Sequence, residues 1–236
     1  VSCRPSGNSG RRRVPRGRRI RPLIELAPGL LHHPGYLDAG AQGALAAGLA
    51  AILREAPPFT PTMPRTGKPF SVRMTNCGPL GWVSDRAGYR YQATHPETGR
   101  PWPAMPDAVT RAWADLASCP AEPEACLVNL YAPGTRMGLH QDRDEDEFAA
   151  PVLSLSLGAT ALFRYGGLTR GAPTRSVRLD SGDALVMAGP SRLIFHGVDR
   201  ILSPDLLAPM PALPEAVPAG GRLNLTLRRV SAIRRA

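Results

Sequence analysis

Asn129-Leu-Tyr-Ala-Pro-Gly-Thr-Arg-Met-Gly-Leu-His-Gln-Asp-Arg-Asp144 is the stretch around which the chain is organised. Near its end stand His140 and Asp142. In extended backbone successive side chains alternate faces, so residues at i and i+2 point the same way and can grip one ion. The spacing alone is a weak signal, because His-x-Asp pairs are common by chance. A third donor strengthens it. His196 closes the run Arg192-Leu-Ile-Phe-His, which we read as a strand. It is far from His140 in sequence but available to a β-sandwich that pairs distant strands. Two histidines and one carboxylate on a rigid β scaffold make the facial triad of a non-haem Fe(II) site, with positions left open for substrate and oxygen.

Outward from this stretch the C-terminal half reads as short β-like runs divided by Gly, Pro and Asp. They are Ala125 to Tyr131, Pro151 to Leu157, Ala161 to Tyr165, Thr174 to Leu179, Asp183 to Met187, Arg192 to His196 and Arg222 to Val230. The N-terminal half supplies helices. Tyr36 to Glu55 carries Leu45, Leu49, Ile52 and Leu53 at helical spacing behind a capping Asp38, and Pro103 to Ser118 carries Val109, Trp113 and Leu116 on one side. Helices first and many strands after predict an α+β chain, an antiparallel sandwich or barrel supported by N-terminal helices.

Between the helices, Pro57 to Lys68 reads as a proline-rich loop or irregular hairpin and Val72 to Cys77 as a strand. Gly78 to Trp82 is a turn delivering an aromatic ring, with Tyr89 to Tyr91 beyond it. Trp82 is open to two readings, core filling or site. His32-His33-Pro34-Gly35 reads as a surface turn, since adjacent histidines point apart and no carboxylate adjoins them, and His95 as an exposed loop residue. Asp144 to Glu147 is an acidic run. It fails as a calcium loop, because Glu147 stands where a glycine is needed and Leu153 where a bidentate Glu is expected. We read most of it as a solvated loop and keep Asp144 as an acceptor over the metal pair.

The last strand alternates. Arg222, Asn224, Thr226 and Arg228 share one face, and Leu223, Leu225 and Leu227 the other. From alternation alone the polar face is the wet side of an edge strand. The same face also suits a dicarboxylate, because each guanidinium offers a planar fork matched to a carboxylate.

The net charge of +10 over 236 residues invites an anionic partner, but it is unevenly placed. Residues 1 to 21 hold eight arginines and no acid; removing those eight from 29 basic residues leaves 21 against 19 acidic. The remainder, 22–236, reads as one nearly neutral domain, preceded by a basic flexible tail. That tail is either a sequence-independent phosphate binder or a solvated terminus. No run is long and apolar enough for a bilayer or an export signal, so a soluble cytoplasmic protein is expected. Cys3, Cys77, Cys119 and Cys126 have no metal-finger spacing and read as free thiols. Ser203 to Gly220, rich in Pro and Ala, reads as a loop before the last strand.

A resemblance now joins these pieces. Met74-Thr-Asn-Cys-Gly with Gly81-Trp82, Trp102-Pro-Ala-Met-Pro, Asn129-Leu-Tyr-Ala-Pro-Gly, His140-Gln-Asp-Arg-Asp-Glu, Ser154-Leu-Ser-Leu-Gly, Phe163-Arg-Tyr-Gly-Gly, Ser191-Arg-Leu-Ile-Phe-His-Gly and Arg222-Leu-Asn-Leu-Thr-Leu-Arg follow in the order of bacterial AlkB. The chain resembles that family of Fe(II)- and 2-oxoglutarate-dependent nucleic-acid dealkylases from about residue 22 to 230. The resemblance implies a double-stranded β-helix, or jelly roll, and oxidative dealkylation of N1-methyladenine and N3-methylcytosine type bases with O2 and 2-oxoglutarate as co-substrates. It implies a monomer acting on alkylated single- or double-stranded DNA, with RNA or a protein side chain as the alternative substrate of the same chemistry.

Residue roles follow from the matching positions. His140, Asp142 and His196 match the iron ligands. Tyr131 and Arg222 match the groups on the distal carboxylate of 2-oxoglutarate, and Asn129, Asn224 and Arg228 those around its other end. Trp82 matches the ring that stacks on the damaged base opposite His140, and Asp144 the carboxylate facing its exocyclic nitrogen. Tyr89 matches a backbone-phosphate contact, Arg170 a further contact in the base pocket, and Met74 part of its wall. Three features depart from the family pattern: Leu223 stands where an aromatic residue is expected, the 203–220 loop is longer, and the arginine-rich tail has no counterpart.

Overall fold

The computed structural model describes residues 22–202 and 211–233; the arginine-rich segment 1–21, with Cys3, and residues 203–210 of the proline-rich loop lie outside them. The described chain contains thirteen strands and two α-helices. Strands β1 (Ile24–Ala27), β2 (Leu30–His33), β3 (Arg73–Cys77), β6 (Ala125–Tyr131), β8 (Val152–Gly158), β11 (Ala184–Met187) and β13 (Arg222–Arg228) form a seven-stranded antiparallel sheet in the order β1-β2-β11-β8-β13-β6-β3. Strands β7 (Met137–His140), β9 (Ala161–Tyr165), β10 (Arg175–Leu179) and β12 (His196–Ile201) form a second sheet in the order β10-β9-β12-β7. The hairpin of β4 (Gly81–Asp85) and β5 (Gly88–Gln92) stands apart as a two-stranded ribbon.

Alternation along the strands assigns each face of the large sheet a partner. Leu153, Leu155 and Leu157 of β8 and Leu223, Leu225 and Leu227 of β13 pack with Leu45, Leu49, Val109 and Trp113 of the helices in one apolar cluster. Each such side chain, fully buried, contributes about 1.5–3 kcal/mol. The opposite face meets the small sheet, where Leu185 and Met187 pack with Phe163, Tyr165 and Ile194, and Leu127 and Tyr131 with Ala161 and Ile201. The result is helices, large sheet, small sheet: the jelly-roll arrangement with its supporting helices.

Helix α1 (Ala39–Glu55) begins where Asp38 Oδ1 accepts from Ala41 N at 2.9 Å, as a capping acid should. Helix α2 (Asp107–Leu116) is shorter than its expected span, because Pro106 at its N-cap is extended and residues 103–105 are not helical.

Four expectations are corrected. His32 and His33 lie in strand β2 rather than a surface turn, and His32 Nε2 is 2.9 Å from Asp183 Oδ2, a carboxylate 151 residues away. His95 is 1 % exposed: its Nε2 donates to Pro57 O at 2.7 Å, and its Nδ1 accepts from Glu97 N and Thr98 N. Residues 192–195 are not a strand. Gly189–Ser191 forms a 3-10 turn, Arg192 N bonds back to Gly189 O, and the strand starts at His196. Finally, β13 is no edge: it runs between β6 and β8 with Arg222 paired to both Tyr131 and Gly158, so its polar face is buried between the sheets.

Candidate active site

The polar face of β13 opens into a cavity between the sheets lined by Asn129, Tyr131, His140, Asp142, His196, Arg222, Asn224 and Arg228. Strand pairing builds its metal end. His196, the first residue of β12, sits opposite His140, the last of β7, and their rings lie 4.5 Å apart between centroids. Gly197 permits the approach, since a Cβ there would come within 2.5 Å of Met137 O. Asp142, two residues beyond β7, turns its carboxylate between them: Oδ1 is 3.7 Å from His140 Nε2 and Oδ2 3.8 Å from His196 Nε2. These separations exceed a hydrogen bond, and the three groups offer one ligand atom each, all within 4.8 Å of one another.

The tautomers suit metal binding. His140 Nδ1 lies 2.9 Å from Gly138 O and His196 Nδ1 3.1 Å from Ile194 O. A carbonyl can only accept, so each Nδ1 carries the hydrogen and each Nε2 presents a lone pair toward Asp142. Burial, and then the neighbouring His140, lowers His196 to about 4, so its imidazole is neutral at pH 7, as a metal-binding histidine needs to be. Burial alone would raise the Asp142 carboxyl; the Arg228 guanidinium and both imidazoles outweigh it and hold the group far below the usual carboxylate range. Arg228 Nη2 donates to Asp142 Oδ2 at 2.9 Å.

At the far end of the cavity Arg222 is 1 % exposed, and no carboxylate pairs with it among the described residues. Nη1 donates to Ala159 O and Leu179 O, and Nη2 to Ser156 Oγ at 2.6 Å. Burial lowers Arg222 to about 10, which leaves it charged at neutral pH. Three buried polar atoms of this cavity lack partners among the described residues: Arg222 Nε, Arg228 Nη1 and Asn129 Oδ1. An unpaired buried donor is costly. Two free guanidinium N–H groups at opposite ends of β13, that of Arg228 beside the His-Asp-His cluster and that of Arg222 away from it, fit an elongated ligand with a carboxylate at each end and one end on the metal.

Outside the cavity stands the hairpin. Trp82 is the second residue of β4 rather than part of a turn, and Asn76 fixes it by bonding both its N–H and its carbonyl at 3.0 Å. Its indole Nε1 donates to Asp144 Oδ2 at 2.8 Å, and its ring stacks on exposed Tyr89 at 5.7 Å. Met74 lies buried in the cluster against which Trp82 packs. Arg170 Nη1 donates to Leu139 O at 2.9 Å, the residue before His140, and lies over the Phe195 ring. Of the residues matched to the family, Asn129, Tyr131, His140, Asp142, His196, Arg222, Asn224 and Arg228 line the cavity, whereas Met74, Trp82, Tyr89, Asp144 and Arg170 are not among its lining residues.

Several participants had no signal in the sequence. Glu145, read as solvated, is 4 % exposed and pairs with Arg192 Nη2 at 3.1 Å and Arg228 Nε at 3.2 Å. Tyr91 OH donates to the same carboxylate at 2.5 Å, and Arg192 Nη1 to Asp142 O at 2.7 Å. Ser154 and Ser156 brace Asn224 and Arg222.

Residues 29–228 match the 2OG-Fe(II) oxygenase superfamily. The chain is 53 % identical over 206 residues to an alpha-ketoglutarate-dependent dioxygenase AlkB homolog of Caulobacter vibrioides, covering 87 % of this chain and 90 % of that one. The chain belongs to the AlkB family. Its likeness to the alpha-ketoglutarate-dependent dioxygenase AlkB of Escherichia coli K12 is 42 % over 176 residues, 73 % of this chain and 77 % of that one. The solved structure of OsALKBH1 superposes with a TM-score of 0.70 at 30 % identity, over 88 % of this chain and 100 % of the other. As a member of the AlkB family the chain is an Fe(II)- and 2-oxoglutarate-dependent dioxygenase that consumes O2, and the His-Asp-His cluster is a donor set suited to that iron.

Proposed function

We propose that the protein repairs nucleic acid by oxidative dealkylation, removing methyl groups from bases of the N1-methyladenine and N3-methylcytosine type. The observation that carries this reading is Trp82: an aromatic ring bonded through its indole N–H to Asp144, two residues from Asp142. A base leaves its stack to reach such a site, and a lesion that blocks pairing lowers the cost of extrusion, a few kcal/mol. The methylated ring carries positive charge. Trp82 offers it stacking and a cation–π face, and Asp144 a carboxylate for its exocyclic amine.

In this reading His140, Asp142 and His196 hold Fe(II). Arg222, with Tyr131 beside it, takes the distal carboxylate of 2-oxoglutarate, and Arg228, Asn129 and Asn224 line the other end. Tyr89 and Arg170 meet the phosphate and base, and Met74 backs the pocket. Iron with 2-oxoglutarate and O2 supplies the oxidation: the N-methyl group is hydroxylated and leaves as formaldehyde, the ring nitrogen keeps the electron pair, and the co-substrate leaves as succinate and CO2. The residues bind, orient and neutralise charge. Arg228 keeps Asp142 ionised, and the two backbone carbonyls keep the imidazole lone pairs on the metal side.

We further infer one domain over residues 22–236, acting as a cytoplasmic monomer on single- or double-stranded DNA and on RNA, with the basic 1–21 segment adding salt-dependent affinity. Formaldehyde release from methylated oligonucleotides tests the reaction; succinate formed with no base repaired would instead favour the same oxygenase chemistry on another substrate class.

A further inference from the structure

Trp82 faces Tyr91 across the hairpin as its register partner. From this one pair two bonds leave the hairpin for the loop after β7. Trp82 Nε1 reaches Asp144 Oδ2 at 2.8 Å in an exposed setting, and Tyr91 OH reaches Glu145 Oε1 at 2.5 Å in a part-buried one. The acceptors are adjacent in sequence, and they differ in what stands behind them. Asp144 is exposed, while Glu145 is locked by Arg192 and by Arg228, the same arginine that holds the Asp142 carboxylate. The inner bond therefore ties the hairpin to the metal end of the cavity through a rigid, buried ion cluster. The outer bond leaves Asp144 free to exchange one partner for another.

We propose that Tyr91 is a positioning residue: through Glu145 it sets the distance of Trp82 from the His140–Asp142 segment and so the width of the slot that receives the base. Asn76 fixes where β4 begins, and Thr62 bonds Ser84 on the hairpin's far side. Neither spans the slot. The bond that does, and that does not use a group needed by the base, is the phenol of Tyr91. When Asp144 turns from the indole to an incoming exocyclic amine, the Tyr91–Glu145 bond is what keeps Trp82 in place. The proposal rests on Trp82 being the base-stacking ring.

Tyr91→Phe removes one oxygen and leaves Glu145 paired with both arginines, so the buried charge is not stranded. Two measurements test it. Acrylamide quenching reads Trp82 without any nucleic acid, because Trp102 and Trp113 are buried; in Tyr91→Phe the quenching constant should rise at least about twofold. In turnover, KM for a methylated oligonucleotide should rise, by up to about tenfold, the limit reached when the whole of one charge-assisted hydrogen bond serves to hold Trp82 against the base. The KM for 2-oxoglutarate and kcat should stay within about twofold. Unchanged quenching overturns the proposal, as does a parallel rise in both KM values with a lowered Tm, which would make the bond a support of the fold alone. If wild-type protein ignores methylated oligonucleotides, the repair reading fails, while the quenching result still decides the tie.

Discussion

Replacing Arg222 by lysine keeps the positive charge and removes the fork. A guanidinium has five N–H hydrogens; three are used by Ala159 O, Leu179 O and Ser156 Oγ, and Nε–H with one hydrogen of Nη2 remains for a ligand. An ammonium has three, all on one atom, and cannot serve the same protein acceptors and still offer two parallel bonds to a carboxylate. The variant therefore loses at least one charge-assisted bond to 2-oxoglutarate, worth about 1.5–3 kcal/mol, or a rise of about tenfold to a hundredfold in Kd. Calorimetric titration of 2-oxoglutarate into protein loaded with Mn(II), which takes the same donor types without turnover, measures it directly. A Kd within twofold of wild type, in a variant that still folds, would refute the reasoning: Arg222 would then be a structural arginine serving carbonyls, with the co-substrate held elsewhere.

Three further outcomes are expected. Trp82→Ala should weaken binding of methylated oligonucleotides by tenfold or more, since base stacking contributes about 1–3 kcal/mol, and leave 2-oxoglutarate affinity unchanged in the same titration. Asp142→Ala should abolish turnover and metal-dependent 2-oxoglutarate binding; activity retained in that variant would remove Asp142 from the ligand set. The metal-free protein should lose stability in acid: His196 is held at about 4 in the fold against about 6.5 unfolded. Between these values the unfolded chain binds a proton that the folded one does not, so Tm falls as pH drops from about 6.5 to about 4. His196→Gln should flatten that slope.

What the sequence disclosed and withheld divides along the range of the interactions. Helix α1 was legible because its signals are local: Asp38 caps it, and Leu45, Leu49, Ile52 and Leu53 recur on its buried side. Strand β6 was read at its observed bounds, and the alternation of β13 correctly separated the arginines from the leucines. Alternation says which residues share a face and nothing about what covers it. Only the pairing of β13 between β6 and β8 turns a wet edge into a cavity wall. His32 looked unpartnered because Asp183 is remote in the chain. Glu145 looked solvated because Tyr91, Arg192 and Arg228 arrive from three separate elements. Arg192 also explains the misread strand before His196, since its guanidinium is anchored on Ala150 O, Asp142 O and Glu145 and its backbone is thereby held in a turn. The His140, Asp142 and His196 trio was visible as residue types, but its assembly required the β7–β12 pairing, and the ligand roles proposed for it came from the ordered motifs of the AlkB family.

The most direct test of the repair reading is the stoichiometry of a single turnover. Protein loaded with Fe(II) and 2-oxoglutarate is mixed with an oligonucleotide holding one N1-methyladenine, exposed to O2, and analysed for succinate, formaldehyde and the recovered base. One succinate, one formaldehyde and one unmodified adenine per active site are expected. Succinate in the same yield with the methyl group still on the base would contradict nucleic-acid dealkylation.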